Sequence, residues 1–226
     1  MQVPIVTSSI RTPSSQQPET LGTRMLALLV FIGLAVLYIG TSNQPVIWDE
    51  TEGQYAGAAR EMLERGDWLV PTNGGIPRLQ KPPLVTWALM ASYEVFGVTV
   101  FAARLPNALA SIGWLFAVYL LGRERGGVTT GARAAYLLGT AIGAFIFCHI
   151  IMPEPFLAMF ITLTIWCFFR ALRAGRRTWI RGWMMLAWVF MALGCLSKGL
   201  LGALYPLSSA LLASLFVFHT RYIWLH

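Results

Sequence analysis

The sequence predicts an all-α membrane protein, a polytopic bundle of about six bilayer-crossing helices, and three observations predict it. The 226 residues are 56% hydrophobic and only 12% charged, whereas an ordinary soluble domain carries roughly 25% charged residues. Apolar stretches recur at close to the roughly 20 residues needed to cross a hydrocarbon core. The basic residues fall mainly in alternate gaps between those stretches, as they do in a protein whose cytoplasmic loops hold the excess of Lys and Arg.

The elements follow in chain order. Residues 1–23 are rich in Ser, Thr, Pro and Gln, lack apolar periodicity and read as a disordered cytoplasmic tail. Arg24 precedes an unbroken apolar run over 25–40. This reads as a retained first span, because the TSNQP that follows offers no small-residue cleavage site. Further spans are expected at about 104–121, 132–152, 156–172, 182–198 and 200–218, with 219–226 as a short cytoplasmic end.

The charges orient this layout. With the N-terminus inside, the cytoplasmic regions hold Arg11, Arg24, Arg123, Arg125, Arg133, Arg170, Arg173, Arg176, Arg177, Arg181 and Arg221 against only Glu19 and Glu124. The outside then holds Arg60, Arg65, Arg78, Lys81, Arg104 and Lys198 with all the other acids. The net charge of +7 is therefore topology information, and no clustered basic face or nucleic-acid fold accompanies it. Cys148, Cys167 and Cys195 lie in apolar runs without ligand or disulfide spacing and read as packing residues.

The first outer loop, 41–103, reads as two helices lying on the membrane. Thr51 and Gln54 fit a capping box at the start of the first. Tyr55, Ala59, Met62 and Leu63 recur on one face, and Gly66 ends the helix after Glu64 or Arg65. The apolar segment 84–96 is too short to span, and the prolines of Lys81-Pro82-Pro83 suit a helix start.

Several residues in this frame can carry chemistry. Asp49, Glu50 and Glu52 cluster where the first span leaves the membrane. A carboxylate there serves as a general base toward a hydroxyl, as a ligand to a divalent cation near Asp49 and Glu50, or only as a complement to the helix dipole. Lys81 and Lys198 are the only lysines in the chain. Each lies beside an apolar segment, suited either to hold a lipid phosphate as a compact charge or to snorkel to the headgroups. Glu154, between two prolines at a short outer turn, is an ionisable group at a membrane boundary and hence a functional candidate. His149 stands without partners at ligand spacing, so no metal site is expected from it.

The blocks WDETEGQYAGAAREMLERGDWLVP, PRLQKPPLVTW, FGVTVFAARLPNAL and LSKGLLG occur in this order. Together they resemble the membrane-embedded GT-C glycosyltransferases of the aminoarabinose transferase and protein O-mannosyltransferase superfamily. The resemblance implies a GT-C helix bundle that moves a sugar from a polyprenyl phosphate carrier to an acceptor on the non-cytoplasmic side of a bacterial-type inner membrane. The acceptor would be a lipid, a glycan or a protein. The transfer would usually proceed with inversion and without a covalent intermediate.

It further implies that Asp49, with Glu50 as neighbouring family acid and Glu52 as an alternative within the triplet, orients or deprotonates the acceptor hydroxyl. Lys81 would neutralise charge developing on the carrier phosphate. Tyr55, Arg78, Arg104, Glu154 and Lys198 would be further substrate or phosphate contacts. The likeness covers roughly 24–218 and reaches only the N-terminal half of the family's enzymes. It therefore implies either a fragment or a split protein completed by a second chain.

Overall fold

The computed structural model describes residues 21–43 and 50–225, with side chains as far as 215. The tail over 1–20, Asp49 and His226 lie outside the described residues. The elements are α1 (Leu21–Gly40), α2 (Glu50–Arg65), β1 (Thr72–Asn73), β2 (Ile76–Pro77), α3 (Leu84–Phe96), α4 (Val100–Gly139), α5 (Ile142–His149), α6 (Glu154–Arg173), α7 (Arg177–Lys198) and α8 (Leu201–Leu225).

Among the described residues, four helices are long and apolar enough to cross a membrane: α1, α4, α6 and α7. The limits expected for individual segments shift in three places. First, α1 begins at Leu21, so the helix takes up the last residues assigned to the tail. Second, α8 continues to Leu225 without a break near residue 218.

Third, the segment expected as one span over 132–152 is broken. Before it, in the gap expected between the spans at 104–121 and 132–152, the long α4 departs from helical backbone at Gly126 and at Gly127, whose φ is +76°, and folds back on itself. The turn is tight: a Cβ on Gly131 would lie 2.5 Å from the Tyr119 carbonyl oxygen. The returning arm ends at Gly139, and α5 starts afresh at Ile142. The Thr140 hydroxyl donates back to the Tyr136 carbonyl at 2.8 Å, competing with helix continuation. Across the break the Tyr38 hydroxyl of α1 donates to the Gly139 carbonyl at 3.0 Å, satisfying an acceptor that lipid would leave bare.

The outer loop is close to its expected form. α2 ends in a Schellman turn: Gly66, with φ +66°, donates to the Leu63 carbonyl and Asp67 donates to that of Met62, both at 3.1 Å. The Gln54 amide of the expected capping box donates to the Glu50 carboxylate one turn back, at 3.1 Å. β1 and β2 pair as a hairpin around Gly74 and Gly75, both with positive φ, as a two-residue primed turn requires. Glu61 of α2 grips this hairpin, accepting from the Thr72 hydroxyl at 2.5 Å and the Gly74 amide at 2.6 Å. Those two bonds, in that order, hold its carboxyl below the ordinary range.

The core lies where α2 and α3 meet the starts of α4 and α6. Tyr55, Ala59 and Met62 pack with Val85, Leu89, Met90 and Tyr93, then with Ala102, Ala103, Phe156 and Phe160. Pro106 inside α4 cannot donate to the Ala102 carbonyl. The Ser92 hydroxyl of α3 donates to that carbonyl instead, at 2.6 Å.

The bundle has two distinct ends. Thr41 meets His149 and Lys198 meets Glu154 at one, whereas Glu124 meets Arg170 and Arg173 at the other. Positions 154 and 170 of α6 are separated by about 24 Å at 1.5 Å rise per residue.

Candidate functional site

At the Glu154 end a cleft of about 590 Å³ opens between the outer loop and the α7–α8 turn. Lys81 and Lys198, the only two lysines of the chain, both line it, with Leu69, Pro71, Gln80 and Gly199 among the other walls. Lys81 is exposed and sits just before α3. Lys198 is the last residue of α7, followed by Gly199 with φ +72°. The turn is compact, since a Cβ on Gly202 would fall 2.2 Å from the Gly194 carbonyl carbon.

Lys198 forms an ion pair with Glu154 Oε1, while Glu154 Oε2 is buried and has no hydrogen-bond partner. The turn carrying Glu154 is held from two sides. Asn107 of α4, fully buried, donates through Nδ2 to the carbonyls of Ile150 at 2.7 Å and Met152 at 2.9 Å. The Ile151 amide donates to Glu52 Oε1 at 2.9 Å.

Glu52 and Arg104, 0% and 1% exposed, face each other in a two-pronged pair, Nε to Oε1 at 3.2 Å and Nη2 to Oε2 at 3.0 Å. Sequence reasoning put Glu52 among the acids facing the acceptor and Arg104 among the phosphate contacts. In the structure the two side chains pair with each other inside the protein. Their interaction ties α2 to α4 and to the turn before Glu154.

Arg78 and Tyr55 are brought together: the guanidinium lies 4.5 Å from the ring centroid and Arg78 Nη2 donates to Gln54 Oε1 at 3.0 Å. Gln54 in turn donates to Glu50, which is exposed. Burial pushes the Tyr55 phenol above its ordinary value; Arg78 opposes that rise and Glu154 adds to it.

His149 accepts or donates to Thr41 Oγ1 at 2.7 Å and contacts Cys148 and the Phe145 carbonyl, a local role at the α1–α5 junction. Among the described residues no three His, Cys, Asp or Glu cluster as a metal site. Asn107 was missed by sequence reasoning, and Gln54 was read only as part of a helix cap. Asn107 lay within a recognised block, and only its polar amide inside an apolar span marked it.

Comparison with known proteins decides the family. Residues 16–224 match the family of dolichyl-phosphate-mannose-protein mannosyltransferases. The chain belongs to that family.

A relative from Yersinia enterocolitica, named an undecaprenyl phosphate-alpha-4-amino-4-deoxy-L-arabinose arabinosyl transferase, is 30% identical over 189 residues, covering 82% of this chain and 34% of its own. One of the same name from Proteus mirabilis is 28% identical over 190 residues, covering 80% and 33%. The crystal structure of ArnT from Cupriavidus metallidurans bound to undecaprenyl phosphate superposes with TM-score 0.71 at 25% identity, over 90% of this chain and 37% of that one. The fold is therefore that of a GT-C membrane bundle, and the chain spans about a third of the length of the curated relatives it matches.

Proposed function

We propose that the chain forms the carrier-binding part of a glycosyltransferase that moves a sugar from a polyprenyl phosphate to a lipid, glycan or protein acceptor. The reaction takes place on the non-cytoplasmic face of a bacterial-type inner membrane. The observation that carries this reading is the meeting of Lys81 and Lys198 in one cleft. A cleft with two ammonium groups beside apolar walls suits a phosphate attached to a prenyl chain, and cations placed there stabilise the charge that develops on the leaving phosphate.

The arginine asymmetry supports an N-terminus on the cytoplasmic side. Glu50 and Asp49 are the acids for the acceptor hydroxyl in this reading, which the burial and pairing of Glu52 support. Glu154 holds Lys198 through one oxygen and so positions its ammonium at the edge of the cleft. Arg78 is held against Tyr55 within reach of the same region.

Undecaprenyl phosphate binding to the full chain, followed by native mass spectrometry, and sugar transfer in membranes from a radiolabelled polyprenyl phosphate sugar test the reading. Lys81→Ala should weaken carrier binding about tenfold, the scale of one charge-assisted contact. Asp49→Asn or Glu50→Gln should leave binding intact and abolish transfer. Transfer unchanged in both acid variants sinks the general-base role. Carrier binding that depends on Lys81, with no transfer by the parent, assigns a non-catalytic lipid-binding protein instead.

A further inference from the structure

The opposite end of the bundle carries a second concentration of cations that the carrier reading does not use. A cleft of about 530 Å³ there is lined by Arg123, Glu124, Trp166, Arg170, Arg173 and Trp183. A second, of about 400 Å³, shares Arg170, Arg173 and Trp183 and adds Arg176 and Trp179. Both volumes fall in the range of ligand sites, roughly 300–1,000 Å³.

Two donors in the first cleft are buried without an acceptor: Trp166 Nε1 and Arg170 Nε. A buried N–H without a partner is costly, and two in one cleft point to an acceptor that fills it. Arg170 is otherwise fully oriented. Its Nη1 donates to Glu124 Oε1 at 3.0 Å and its guanidinium lies 5.0 Å from the Trp183 ring centroid, which stands edge-on to Trp166 at 5.1 Å.

Glu124 is the acid of this cleft and is already shared, with Arg173 Nη1 3.5 Å from its other oxygen. Arg123 and Arg176 form no ion pair among the described residues, so the four arginines are in clear excess. α7 starts beside the second cleft with no side-chain cap, which adds the positive end of its dipole.

We infer that these paired clefts bind the phosphate of an anionic phospholipid headgroup, Arg170 Nε and Trp166 Nε1 donating to its oxygens and Arg123 and Arg176 supplying charge. Guanidinium groups match phosphate oxygens through several donors at once, and tryptophans with arginines beside spanning helices place the site at headgroup depth. The site lies about 24 Å along α6 from Glu154. It anchors the turn joining α6 and α7 and the hairpin of α4 to one leaflet, while the lysine cleft faces the other. The inference is independent of the glycosyltransferase reading.

Native mass spectrometry of the full chain in detergent, titrated with phosphatidylglycerol, phosphatidylcholine or inorganic phosphate, tests it. Phosphatidylglycerol should be retained over phosphatidylcholine. Trp166→Phe, which keeps the ring but removes the donor, should weaken its binding about tenfold. Arg170→Lys, which keeps a cation for Glu124 but loses Nε, should do the same, whereas Arg60→Gln on the exposed face of α2 should not. If Arg170→Lys fails to fold, Arg123→Gln with Arg176→Gln reads the charge contribution without touching an ion pair. Phosphatidylglycerol binding equal to phosphatidylcholine, or unchanged in Trp166→Phe, overturns the site. Inorganic phosphate displacing the lipid at equal concentration overturns its assignment to a lipid.

Discussion

Replacing Arg104 separates a structural role from a phosphate-binding one. Arg104 is 1% exposed and gives two hydrogen bonds to Glu52, which is 0% exposed. In Arg104→Gln the Glu52 carboxylate keeps the Ile151 amide at 2.9 Å and loses its countercharge. Breaking a buried pair by removing one partner costs about 3–5 kcal/mol, most of it the uncompensated charge left inside. At about 2–4 °C per kcal/mol for a chain of this size, the melting temperature should fall by about 6–20 °C.

Removing both charges behaves differently. In Glu52→Gln with Arg104→Met, the glutamine oxygen still accepts from Ile151 and no lone charge remains, so most of the loss should be recovered. Circular dichroism melts in detergent read all three proteins. A single variant that melts within about 1 °C of the parent and loses undecaprenyl phosphate would refute the structural reading and restore Arg104 as a carrier contact.

Further consequences are accessible to the same methods. Asn107→Ala should destabilise by about 1–3 kcal/mol, because the Ile150 and Met152 carbonyls lose their donor, and hydrogen exchange should rise in the turn before Glu154. Gly202→Ala places a Cβ 2.2 Å from the Gly194 carbonyl carbon, so it should lower the melting temperature and weaken carrier binding through displacement of Lys198. Overpacking of this kind costs about 1–3 kcal/mol; binding and stability equal to the parent would show that the α7–α8 turn yields without consequence. Glu61 has a depressed carboxyl value when folded, so its grip on the hairpin is fully present above about pH 4.3 and is lost as pH falls through the lower folded value. Proteolysis within the Thr72–Pro77 hairpin should therefore accelerate on acidification in the parent, and Glu61→Gln should show the fast rate already at neutral pH.

Much of the architecture was legible because each signal is local. A span announces itself by unbroken hydropathy, so α1, α6 and α7 fall close to their expected limits. α3 matches at both ends because proline precedes it and Gly97, with φ +73°, follows. The face of Tyr55, Ala59 and Met62 was readable from helical spacing alone. The break at Thr140 was not, because nothing in a continuous apolar run marks where a neighbouring hydroxyl, that of Tyr38, will accommodate an interrupted helix.

The site divides in the same way. The sequence by itself determined the helical class, most of the turns between spans and the concentration of arginine at alternate gaps, since these depend on composition over a few consecutive residues. Tertiary structure decided which acids and bases remain available. Glu52 and Arg104 are 52 positions apart and Lys198 and Glu154 are 44 apart; whether such charges meet each other or a ligand depends on which helix faces touch. A carboxylate at the start of a helix has the same local sequence whether it is solvated or buried. Only the packing of α2 against α4 and the Ile151 turn distinguishes Glu52 from Glu50.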